Sequence, residues 1–245
     1  MSNKVFRPKR HARDTWVKKA TPTLPSHQEI KAFIKSLLDW YVDNGRQYPW
    51  REKTATLYQK VVAEILLQRT RADTVALFLP KFYVQFPSWK ELSTSDQEDL
   101  RQFLYPLGLW EQKAKTLREL ANEMVHRQGQ FPDDYNEIRD LPGIGQYIAN
   151  AIAVFDSKEP RPFLDVNMAR VLERCFGPRK LADIRDDPYI QNLACTIILA
   201  SNAYISMNFA ILDLAALICK KKPLCYQCPV KIGCKFRRQN EQGIG

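Results

Sequence analysis

The stretch "DDYNEIRDLPGIGQYIANAIAVF" (residues 133–155) decides how the rest of the chain is read. It runs as a helix, a Leu141-Pro142-Gly143-Ile144-Gly145 turn, and a second helix with apolar residues at helical spacing. Gly143 and Gly145 permit backbone angles and close approaches that a side chain would block. The first amides of the second helix have no partner within their own helix, so they form an outward anion site. A phosphate fits such a site without any sequence preference, which is how proteins are positioned on DNA.

Outward from this turn, helical patterning continues almost everywhere. Ser26 with Glu29 three residues on forms a capping box ahead of Ile30, Phe33, Ile34, Leu37 and Leu38. Stripes of the same period predict helices over 56–68, 73–85, 96–105, 111–128, 133–140, 146–156, 166–176, 187–201 and 207–218. Breaks fall at Pro49, Pro87, Pro106–Gly108, Pro132, Pro160–Pro162 and Gly177–Pro178. No strand pairs, tight hairpins or internal repeats stand out, so the expected fold class is all-α.

Charge is concentrated at two places. Residues 1–24 carry seven Lys/Arg against Asp14 alone, and residues 219–238 carry seven Lys/Arg and no acid, within a total net charge of +10. Two basic segments beside a near-neutral body suggest a polyanion partner, most often nucleic acid. The first is read as a flexible arm. No apolar run is long enough to span a membrane, and the N-terminus lacks the apolar core of a secretory signal. A reducing compartment is therefore expected: the cytoplasm of a prokaryote or the nucleus of a eukaryote.

In that setting disulfides explain cysteines poorly. Cys219, Cys225, Cys228 and Cys234 lie within sixteen residues, spaced Cys-x5-Cys-x2-Cys-x5-Cys. A reduced thiolate cluster points to metal, and one short wrapped loop favours an iron–sulfur cluster over a single zinc ion. Cys175 and Cys195 fall on apolar stripes and are expected to pack in the core.

Two carboxylates can be read in more than one way. Glu64 lies at the edge of the stripe Leu57, Tyr58, Val61, Val62, Ile65 and Leu66, with Gln68 one turn further on; a solvated or Arg-paired edge acid fits the position. Asp165 precedes a helix and suits an N-cap. Trp50 suits a core aromatic as well as a pocket wall.

Taken together, "YPWR" (48–51), "AEILLQRT" (63–70), "LPGIGQYIANAIAVF" (141–155), "LDVNMARVLERCFG" (164–177) and "ILDLAALICKKKPLCYQCPVKIGC" (211–234) resemble the helix-hairpin-helix DNA glycosylases of the endonuclease III type, over roughly residues 28–238. The resemblance implies two helical domains: a six-helix module over 49–159, and a cluster domain built from 25–48 and 160–245. It implies a [4Fe-4S] cluster on the four cysteines, although the family usually has six residues between the first two ligands and here there are five. It also implies double-stranded DNA with a mismatched base as partner, and a monomer acting away from membranes. The implied catalytic residues are Glu64, Tyr147 and Asp165. Trp50 and Asn167 would line the base pocket, and Gln68, Arg69, Gly143, Gly145, Lys220 and Lys231 would contact DNA.

Tyr147 stands where strand-cutting relatives carry a Schiff-base lysine, and a phenol cannot form that adduct. Base removal without strand cleavage is therefore expected. At two places, "PLGLWEQKA" (106–114) and "LLQRT" (66–70), the chain is more similar to thymine glycosylases acting on G:T mismatches, which also accept uracil, than to adenine glycosylases acting opposite oxidised guanine. A DNA-binding protein without catalysis is the reading from another class, and the presence of both carboxylates weighs against it.

Overall fold

Ser26 opens the first helix as its spacing predicts. Its hydroxyl accepts from the Glu29 amide at 3.3 Å, and the Glu29 carboxylate accepts from the Ser26 amide at 2.8 Å. The computed structural model describes residues 23–157 and 159–242. Nearly all of the expected basic arm therefore lies outside the described residues. From Ser26 the chain runs through α1 (His27–Asn44), α2 (Leu57–Leu66), α3 (Ala72–Gln85), α4 (Trp89–Thr94), α5 (Gln97–Leu104), α6 (Trp110–His126), α7 (Tyr135–Asp140), α8 (Gln146–Phe155), α9 (Val166–Phe176), α10 (Pro188–Ser201), α11 (Tyr204–Leu217) and α12 (Lys235–Gln242). The described residues contain helices and turns but no strand, and no helix among them is long and apolar enough to cross a membrane.

Local chemistry sets the helix starts. Thr56 caps α2 with Gln59 as its reciprocal partner, and Asp96, Asp134, Asp165 and Asp187 each accept amides from the first turn of the helix that follows. Two helices have no counterpart in the apolar periodicity. The short α4 follows Pro87 too closely to show a stripe, so the span 49–159 holds seven α-helices rather than six. The other, α12, is dominated by Lys, Arg and Gln, with Phe236 as its one large apolar side chain.

The helices bury two apolar cores. Val61, Ile65, Leu79, Phe82, Leu100, Leu117 and Leu120 belong to one, built from α2 to α8. Ile30, Phe33 and Leu37 of α1 belong to the other, with Phe163 from the segment before α9 and Leu172, Ile190, Ile197 and Leu214 from the later helices. The chain thus leaves the second core after α1, builds the first, and returns. Helix α8 serves both: Ala149 and Ile152 face one core, Ala151 and Val154 the other, and Tyr147 packs against each. Its small residues allow that sharing, because alanine lets neighbouring helices approach closely.

The segment between α1 and α2 is held by Asp213 of α11, which is completely buried. Its Oδ1 accepts from Arg46 Nε at 2.7 Å and Arg51 Nη2 at 3.0 Å. Its Oδ2 accepts from the Arg46 amide and from Arg51 Nη1, both at 2.8 Å. The Arg51 guanidinium also lies 4.2 Å from the Phe209 ring centroid. A buried carboxylate with four charge-assisted or amide donors is satisfied; two guanidiniums without it are not. Asp213→Asn should therefore lower the unfolding free energy by about 3 kcal/mol, measured as a lower urea midpoint with an unchanged slope.

Candidate active site

Between the two cores lies a cleft of about 690 Å³, lined by Trp50, Arg51, Glu64, Gln68, Tyr147, Asp165 and Asn167 among others. The fold therefore brings together residues from α2 and the segments on either side of it, from α8, and from the start and cap of α9.

Glu64 is not the edge carboxylate that a helical wheel of α2 suggests. It is only 3% exposed, because α8 packs over that face of α2 and covers it with Tyr147. Burial pushes its carboxyl up to about 7, against the opposing pull of a hydrogen bond from Tyr147 and the Arg51 charge; Asp165 raises it further. Oε2 is buried without a hydrogen-bond partner among the described residues. The Tyr147 phenol is raised well above its ordinary range, first by burial and then by Glu64. At neutral pH, then, the cleft holds a neutral phenol beside a carboxyl poised to hold or release a proton.

Asp165 is the α9 cap, as its position suggests, and it lines the cleft as well. Its Oδ1 accepts from the amides of Asn167 at 2.9 Å and Met168 at 2.7 Å, and Oδ2 accepts from Asn167 Nδ2 at 2.6 Å. Arg170 Nη1 donates to Asn167 Oδ1 at 3.0 Å, which fixes which end of that amide faces the carboxylate. Arg170 Nε and Nη2 reach on to the carbonyls of Cys219 at 2.9 Å and Ala215 at 3.2 Å. The acid is thereby tied through α9 to the start of the cysteine loop.

Trp50 is both core and wall: it is buried, stacks on Tyr48 at 4.6 Å, and lines the cleft. Gln68 is half-buried at the cleft edge, and exposed Arg69 beside it has φ 54°. Gly143 has φ +70°, and a Cβ there would fall 2.2 Å from Thr116 Cγ2, so the turn is pressed onto α6. A Cβ at Gly145 would meet nothing within 4 Å, and α8 starts there without a side-chain cap, leaving the approach to its amides open. Lys220 is exposed, whereas Lys231 is not free: its Nζ donates to the Tyr226 carbonyl at 3.0 Å, within its own loop. Sequence reading passed over Arg46, Arg51, Lys113 and Asp213. A lone acid in the apolar run of α11 was the available signal for Asp213, since such acids are buried only when paired.

Residues 62–186 match the HhH-GPD superfamily of base excision DNA repair proteins. The chain belongs to this superfamily. Among relatives of this HhH-GPD protein, a thymine-DNA glycosylase from Aeropyrum pernix is 34% identical over 84% of this chain and 95% of its own length. A thymine/uracil-DNA glycosylase from Pyrobaculum aerophilum is 31% identical over 89% and 97%. The human adenine DNA glycosylase is 30% identical over 87% of this chain but 41% of its own length. A solved thermostable thymine-DNA glycosylase superposes with TM-score 0.79 at 27% identity, over 86% of this chain and 98% of that one. An endonuclease III–DNA complex shares the fold at TM-score 0.74 and 18% identity, covering 89% of this chain and all of that one.

In this HhH-GPD chain the four C-terminal cysteines form no disulfide and line one small apolar cavity with Val171, Leu214 and Val230. Among the described residues no three ligating side chains are grouped as a single ion requires. Arg174 clamps the loop, donating to Cys219 Sγ at 3.3 Å and to the carbonyls of Lys220 at 2.6 Å and Lys221 at 3.2 Å. Cys175 is buried beside the set, and its hydrogen bond pulls the Cys234 thiol down to about 6. Cys195, expected in the core, is exposed: on α10 it sits out of phase with the buried Leu193, Ala194, Ile197 and Ile198.

Glu64 makes a pH prediction with a definite sign. Its folded pKa of about 7 lies above the ordinary 4.5, so the unfolded state releases its proton first as pH rises. The favourable contribution is complete below about 4.5 and is lost by about pH 7, to the extent of about 3 kcal/mol. Glu64→Gln should remove that slope and be more stable than the wild type at pH 8, measured as unfolding free energy against pH.

Proposed function

We propose that this chain is a monofunctional DNA N-glycosylase that removes thymine or uracil mispaired with guanine, working as a monomer on duplex DNA. The observation that carries the reading is the pairing of buried Glu64 with Tyr147, where an amine would be needed for strand cleavage, in one cleft with Asp165. The thymine and thymine/uracil glycosylases that it resembles over nearly their whole length support the choice of base. An adenine glycosylase acting opposite guanine or oxidised guanine is the second reading, favoured by the human relative.

The chemistry follows from the residues. A target base turned out of the duplex enters the cleft beside Trp50. As the N-glycosidic bond lengthens, positive charge develops on the sugar, and the Asp165 carboxylate stabilises it. Electrons pass to the departing base, and the proton on Glu64, held there by the carboxyl's raised pKa, relieves that charge. Water then adds to the sugar carbon, leaving an abasic site. Tyr147 donates to Glu64 and offers no nucleophilic amine.

Cys219, Cys225, Cys228 and Cys234 would hold a [4Fe-4S] cluster, a donor set that suits the shared cavity and the clamp by Arg174. Bound there, it would cross-link the basic loop and offer a one-electron redox centre.

Duplexes with single G:T, G:U, A:G and A:oxoguanine pairs test the assignment. Excision of thymine and uracil is expected, with strand breaks only after alkali; excision of adenine alone would select the second reading. Asp165→Asn should keep DNA binding but slow single-turnover excision by a factor of about a hundred or more. The wild-type rate should fall as pH rises through about 7, where Glu64 loses its proton, and Glu64→Gln should lack that limb. As-purified protein should carry about four irons with matching sulfide, lost when Cys228→Ser removes a ligand; stoichiometric zinc without iron after anaerobic expression would refute the cluster.

A further inference from the structure

Lys113, near the start of α6, is only 2% exposed, and the cleft chemistry does not use it. Buried lysines normally find a carboxylate. Among the described residues the Lys113 ammonium meets none: Nζ donates to Thr70 Oγ1 at 2.5 Å and to the Leu107 carbonyl at 3.2 Å. The Thr70 hydroxyl in turn donates to that same carbonyl at 2.7 Å. Burial pulls the amine down to about 8.

These three groups join distant parts of the chain. Thr70 ends the turn between α2 and α3, and Leu107 lies in the turn between α5 and α6. Each turn holds an exposed residue in left-handed backbone, Arg69 at φ 54° and Leu109 at φ 48°, with Gly108 at φ 67° beside the latter. Backbone of that kind persists where its surroundings over-determine it. Gln68, Arg69 and Thr70 form part of the cleft wall, so whatever fixes this turn fixes the wall.

Stability does not account for the lysine. An ammonium buried against one hydroxyl and one carbonyl is harder to accommodate than an apolar side chain of equal length. We propose that Lys113 is a positioning residue that locks the 67–70 turn to the 105–109 turn, making one rigid lip that supports base extrusion rather than bond cleavage. The proposal rests on reading the cleft as a base-excision site. Extrusion requires the vacated stack to be supported by side chains that do not yield, and a lip of two separately moving turns would yield.

The test uses the full chain with Lys113→Met, which keeps length and removes the donors, and Thr70→Val, which removes the hydroxyl from the other side. Melting of Lys113→Met should be unchanged or raised. Without DNA, amide exchange over 67–70 and 105–110 should quicken about tenfold, reporting a lip that opens locally. Single-turnover excision should fall about tenfold for uracil paired with guanine, but by no more than roughly threefold for the same uracil left without a partner base, where extrusion costs little. Unchanged exchange in both turns, or equal losses on the two substrates, would overturn the proposal. If Lys113→Met does not fold, Thr70→Val is judged by the same two readings. A wild type that excises neither uracil would refute the glycosylase assignment, while the exchange measurement would still decide whether Lys113 locks the turns.

Discussion

The Asp213 carboxylate, buried between Arg46 and Arg51, is the constraint on which the rest of the architecture depends. The chain crosses from one apolar core to the other through residues 45–56, a segment whose one regular stretch is a short 3-10 turn at Pro49–Arg51. Two arginines anchored to one acid on α11 supply the missing geometry. Their fork-shaped donors match the two carboxylate oxygens, so direction is fixed as well as distance. Tyr48 extends the anchor by accepting from Arg46 and donating to Asp73 on α3. The cleft between the cores therefore has a rigid floor, with Trp50 stacked on Tyr48 as part of it.

On that floor the site departs from what stability alone would select. Glu64 is buried with one oxygen unpartnered, although an apolar residue would pack there without desolvation cost. Such a departure makes sense where a carboxyl must hold a proton near neutral pH and an incoming group completes its hydrogen bonding. Asp165 is treated in the opposite way: three donors hold it, and its place at the helix start suits a carboxylate. Two acids facing one cleft are thus given different environments by burial on one side and by a helix N-terminus on the other.

Helix α9 links this site to the C-terminal loop. Its first turn holds Asp165 and Asn167, its middle carries Arg170, and Arg174 one turn later grips the backbone of Lys220 and Lys221. Residues with helical spacing on one face reach both ends of the same device. The order of the cysteine loop and the orientation of the Asp165 carboxylate are consequently parts of one hydrogen-bonded structure.

The sequence by itself determined the helices and their caps, because periodicity, Ser/Thr/Asp starts and Gly/Pro breaks are local signals; Ser26 with Glu29 and the Gly143 turn are read directly from the chain. It also carried the motif that places Glu64, Tyr147 and Asp165 among the candidates. Helix α4 and helix α12 escaped because one is too short and the other too polar for an apolar stripe. Only the tertiary structure decided that Glu64 is enclosed, since the side chain covering it comes from Tyr147, eighty-three residues away. The same holds for Asp213 with its arginines, for Lys113 between two turns, and for Lys231 folded onto its own loop. Burial and partnership are properties of surfaces brought together by packing, and no local pattern in the chain encodes which surfaces meet.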